Sequence, residues 1–60
     1  MERALFTTRE RALLHGDYWR HQAGGSRNEA RAVRKQGQVI GYEAWYDKGG
    51  VMQPVIEKDV

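Results

Sequence analysis

Sixty residues with a net charge of +2 and no cysteine make room for one small domain, spanning 1–60, without disulfide staples or a thiolate metal site, and set the expectation of a reducing, cytoplasmic setting. No apolar run approaches the roughly 20 residues needed to cross a bilayer, and the first residues lack the charge, apolar block and small-residue cleavage pattern of a signal peptide, so no membrane partner is expected. A chain of this size buries only about 60% of the surface its unfolded form exposes, and this one is poor in leucine, so a homodimer or a bound partner is expected to supply further buried area.

In chain order, Met1 to Phe6 has no clear period and reads either as an extended lead or as the frayed start of a helix. Thr7 and Glu10 form a Ser/Thr-x-x-Glu capping box. Ala12, Leu13 and Leu14 supply an inward side, and Gly16 suits the left-handed residue that ends a helix, which predicts a first helix over Thr8 to His15. Asp17 caps a second short helix, over about 17–22, anchored by Tyr18 and Trp19 and stopped by Gly24-Gly25. Ser26 and Glu29 form another helix start and Gly37 another stop, so a third helix is predicted over 27–36. At helical spacing Arg27, Arg31, Arg34 and Lys35 fall on one face of it, beside a narrow apolar strip of Ala30 and Val33.

After Gly37 the period changes from 3.6 to 2. Gln38 to Tyr46 alternates Ile40, Tyr42, Ala44 and Tyr46 on one face with Val39, Gly41, Glu43 and Trp45 on the other, which predicts a strand. Asp47-Lys48-Gly49-Gly50 reads as a turn and Val51 to Ile56 as a returning strand, with Pro54 restricting it to an edge. The hairpin thus covers about 38–56, and Glu57 to Val60 reads as a frayed polar tail.

Three short helices followed by a C-terminal β-hairpin give an α+β fold whose order of elements resembles a winged helix-turn-helix domain. That resemblance implies that the third helix reads the major groove of double-stranded DNA and that the hairpin is the wing. Ser26, Arg27 and Asn28 then face the duplex, with Arg27 and Asn28 suited to guanine and adenine edges. Arg31, Arg34 and Lys35 then contact phosphates, and Arg20 and Lys48 complete the nucleic-acid-binding set. Charge is split in the same sense: residues 1–35 carry eight basic side chains against four acids, while the remainder is net acidic. The leading expectation is a small DNA-binding protein, a transcription regulator or recombination accessory factor of the kind mobile elements encode. The bland alternative is that these arginines form a solvated face.

The acidic hairpin argues the other way, because a wing that enters a minor groove is usually basic. Trp45 and Val39 lie together on the face opposite Tyr42 and have the look of a protein contact. The alternative function is therefore an inhibitor or adaptor that docks the aromatic hairpin and the basic segment onto an acidic protein surface. Tyr42 and Tyr46 are candidates for stacking unpaired RNA bases, and core packing explains them better. His15, Asp17 and His21 lack the spacing of a metal site. Ser26 stands beside no base, and no phosphate loop is present, so neither an enzyme nor a cofactor is expected.

Overall fold

The computed structural model describes residues 2–56. Its architecture is α+β with one helix and three strands: α1 Arg9–Ala23, β1 Asn28–Lys35, β2 Gln38–Lys48 and β3 Val51–Pro54, in one antiparallel sheet of order β1-β2-β3. The expectation of three helices followed by a winged-helix-like hairpin is corrected on two counts. The first two predicted helices are one, and the third is a strand. The reading of Glu57 to Val60 as a frayed tail lies outside the described residues.

α1 begins one residue later than the capping box suggests. Thr8, in extended conformation, is the N-cap, and its hydroxyl accepts from the Arg11 N–H at 3.1 Å. Gly16 does not end the helix; it is buried in the helix interior. An ideal Cβ there would stand 3.2 Å from the Asn28 side-chain nitrogen and 3.4 Å from the Trp45 carbonyl oxygen, so the glycine lets the helix approach the sheet closely. Asp17 caps nothing, because the chain is already helical there, and its carboxylate accepts instead from Arg20 at 2.6 Å. The real stop is Gly24, with φ 70° in the left-handed region; its N–H reaches His21 O at 3.2 Å, and the Gly25 N–H reaches Arg20 O at 2.9 Å.

Residues 27–36 do not form the predicted helix because both of its ends serve other partners. Ser26 donates its backbone N–H and its hydroxyl to the Asp47 carboxylate, at 3.1 and 3.0 Å. Gln36 and Gly37, with φ 53° and 80°, form a two-residue hairpin loop between Lys35 and Gln38 rather than a helix stop. A lone helix of ten residues is marginal in water. Pairing along β2 satisfies those of the segment's backbone groups that point into the sheet. The register runs from Asn28↔Tyr46 to Lys35↔Gln38, with an irregularity between Val33 and Arg34.

β3 returns from β2 through Gly49 and Gly50, with Lys48↔Val51 and Trp45↔Pro54 in register. Arg3 to Phe6 is extended and extends the sheet on that side. Ala4 N–H donates to Val55 O at 3.0 Å, and Phe6 and Tyr42 exchange both backbone bonds at 2.8 Å.

α1 covers the sheet face that carries Asn28, Ala30, Tyr42, Ala44 and Tyr46. The buried centre consists of Ala4, Ala12, Ala44 and Val55, with Phe6, Trp19, Ala30, Tyr42 and Tyr46 packed around it. Tyr42 and Tyr46 therefore belong to the packing under the helix. Ile40 does not join them: it falls at the register irregularity and is exposed. Among the described residues no large side chain is fully buried, and Leu14 and Tyr18 stand uncovered on the outer side of α1.

Candidate functional site

Among the described residues no helix lies over the second face of the sheet. Strand alternation places Glu29, Arg31 and Val33 of β1 beside Glu43 and Trp45 of β2 on this face, and the Ala4–Val55 backbone bond brings Arg3 alongside. Trp45, half-buried, is the centre of the group. The Arg31 guanidinium lies 3.9 Å from a Trp45 ring centroid and that of Arg3 lies 5.1 Å away, both within cation–π range. The indole N–H donates to the Glu43 carboxylate at 3.0 Å, and Arg3 pairs with the same carboxylate at 3.4 Å. Arg31 forms an ion pair with Glu29. The face is thus a tryptophan bracketed by two arginines, with two carboxylates that fix them.

The residues expected to contact DNA are dispersed. Arg20 pairs with Asp17 and donates to the Asn28 side-chain oxygen at 3.0 Å, while the Asn28 amide donates to Leu13 O at 3.2 Å. Asn28 and Arg20 therefore clamp α1 onto the start of β1. Ser26 is spent on Asp47, and the Arg27 carbonyl accepts from the Asp47 N–H at 2.9 Å. Arg34 and Lys35 are exposed beside the Gln36-Gly37 loop and pair with no carboxylate of the described residues. Lys48 is exposed at the opposite end of β2. The one-face stripe depended on helical spacing; strand alternation keeps Arg31 and Lys35 on one side of β1 and turns Arg34 to the other. Val39 is exposed as well, but six residues along β2 from Trp45, about 20 Å at strand rise, so the two do not form one patch. What the sequence reading missed was Arg3; its signal was only that an extended lead adds a strand-like edge.

The histidines have local partners. The His15 ring packs on Phe6 with centroids 4.5 Å apart, and His21 Nδ1 lies 2.8 Å from Asp17 O. Among the described residues no group of three or more His, Cys, Asp or Glu side chains is placed to hold a metal.

Asp47 gives the fold an acid-sensitive contact. Hydrogen bonds from the Ser26 N–H and then its hydroxyl, with a further one from the Gly50 backbone, hold the Asp47 carboxyl below its ordinary pKa; the Arg20 hydrogen bond does the same for Asp17. A group whose folded pKa is depressed contributes stability above its unfolded pKa and loses it as pH falls through the folded one. Urea unfolding of the wild type should therefore weaken as pH drops below about 4. Asp47→Asn should lower stability at pH 7 and flatten that acid limb, and an unchanged limb would count against the Ser26–Asp47 contact.

No family model, no curated protein and no solved structure matches the chain.

Proposed function

We propose that the chain is a non-catalytic binding module that docks a protein partner through the helix-free sheet face, with Trp45 as the anchor and Arg3 and Arg31 receiving carboxylates of an acidic partner surface. The observation that carries this reading is the Arg3–Trp45–Arg31 arrangement. The aromatic hairpin and the basic segment are neighbouring strands, so the side chains that an adaptor would use already share one face. Tryptophan and arginine are the residue types that dominate interface hot spots. Here their rotamers are held by Glu43 and Glu29, which lowers the ordering cost of binding.

A second reading, contact with double-stranded DNA, is favoured by a different observation: Arg34 and Lys35 project at the Gln36-Gly37 hairpin without a carboxylate of the described residues beside them. In that reading the hairpin loop, not a recognition helix, meets the phosphates, and the affinity falls steeply with salt.

Two variants separate the readings. Affinity capture of partners from the source cell, followed by their identification, should lose the partner with Trp45→Ala and retain it with Arg34→Ala/Lys35→Ala. A duplex-DNA titration should be flat for both. If instead the wild type binds duplex DNA with a clear salt slope and only Arg34→Ala/Lys35→Ala loses it, the adaptor reading fails and the DNA reading stands.

A further inference from the structure

The geometry points to a second copy of this chain pairing with the open edge of β1, so that two three-stranded sheets join into one of six strands. The Arg27 carbonyl accepts from the Asp47 N–H, and therefore points toward β2. By strand alternation Glu29, Arg31 and Val33 also direct their backbone groups to β2, and Asn28, Ala30 and Ala32 direct theirs outward. The Ala30 carbonyl agrees with this, since it accepts from the Arg9 guanidinium of α1 at 3.4 Å. β1 is thus an eight-residue strand whose outer edge pairs with no other strand of the described residues, the arrangement that templates further pairing. The other edge strand, β3, has four residues and ends on Pro54.

A two-fold axis through Ala30 gives a self-complementary register. Ala30 exchanges both backbone bonds with its copy, Asn28 faces Ala32, and Arg9 yields the Ala30 carbonyl to the incoming N–H. Glu29 of each chain then stands directly opposite Arg31 of the other, on the helix-free face. Two intrachain ion pairs become one alternating ring of four charges, and cross-strand opposite charges stabilise such pairs. Arg34 and Lys35 lie beyond the paired stretch and do not oppose one another.

The helices fit the same arrangement. α1 lies over both β1 and β2, so strand spacings of about 4.8 Å bring the two helices side by side at about 10 Å between axes, the packing range for helices. A groove lined by Glu10, Leu13, Leu14, Asp17 and Asn28 runs along this flank, with Leu13 38% exposed, and the partner helix covers it. The Trp45 faces of the two copies end on the same side of the joined sheet, so the dimer presents the binding face twice.

Sedimentation equilibrium at about 100 μM, where a standard small interface is populated, should give twice the 6.9 kDa chain mass. Glu29→Arg sets arginine against arginine and Arg31→Glu sets glutamate against glutamate; each should weaken association by about tenfold or more. An equimolar mixture of these two variants should restore a heterodimer, and the double variant E29R/R31E should dimerise like the wild type, which shows that the single variants are folded and mismatched rather than damaged. Amide exchange at Asn28, Ala30 and Ala32 should slow as concentration rises. A monomeric wild type, a mixture that stays monomeric, or a double variant that stays monomeric overturns the proposal.

Discussion

Gly25→Ala should remove a large share of the folding stability. An ideal Cβ on Gly25 overlaps the Asp47 carbonyl oxygen outright and lies 2.8 Å from the carbonyl carbon, closer than real Cβ atoms stand. Neither side has room to yield. The Asp47 N–H is bonded to Arg27 O, its carboxylate holds Ser26, and its residue is in register with Met52. The Gly25 N–H is itself committed to Arg20 O at the end of α1. Overpacking against backbone of this kind costs about 3 kcal/mol or more. Domains carry only about 0.05–0.15 kcal/mol per residue in total, so the loss takes a large share of the stability. Gly41→Ala is the matched control. Its Cβ would meet Leu5 Cγ at 2.6 Å, but Leu5 is 49% exposed and swings aside, so the cost should stay below about 1 kcal/mol. Urea unfolding of the two variants at one protein concentration tests the contrast, and equal losses would overturn the close Gly25–Asp47 approach.

Ala44→Leu should cost about 1–3 kcal/mol although it adds apolar surface to a chain poor in it. Ala44 and Ala12 are both fully buried where α1 crosses β2. Small residues at this crossing set how closely helix and sheet approach, and Gly16 continues the same contact one turn along α1. A leucine pushes the helix away, which strains the Asn28 bond to Leu13 O and opens the packing of Trp19 on Tyr46, whose rings are 6.4 Å apart. Leu14→Ala, at a position 68% exposed in the single chain on the side of α1 away from the sheet, should move the urea midpoint by less than the equivalent of about 0.5 kcal/mol when measured at low concentration, where the chain is a monomer. A stabilised Ala44→Leu would show that the crossing holds a void rather than a close contact.

These two sites also show where local reading stops. The alternation over Gln38 to Tyr46 and the Gly49-Gly50 turn were legible because period 2 and paired positive φ are properties of the segment itself. Gly24 was legible as a stop for the same reason. Gly16 carried the same letter and was read the same way, yet it lies inside a helix because Asn28 and the Trp45 carbonyl need the space its missing Cβ leaves. Over Asn28 to Lys35, alanine, arginine, glutamate and lysine are good helix formers, and their spacing matched a helical stripe. The same residues alternate equally well for a strand. The functional reading inherited that ambiguity, since a stripe of four basic side chains exists only if the segment is helical.

From its sequence alone the chain was marked as one small α+β domain with a basic first half, a hairpin turn at Gly49-Gly50 and too few large apolar side chains for a thick core. Those are matters of composition and of backbone preferences that act over a few residues. The tertiary structure decided that 9–23 is a single helix, that 28–35 is a strand, and that Arg3, Arg31 and Trp45 share a face. Each of these turns on partners distant in the chain: Ser26 on Asp47, β1 on β2, Ala4 on Val55. A short segment of mixed propensity takes the form that its distant partners favour, and here β2 supplied a strand to pair with.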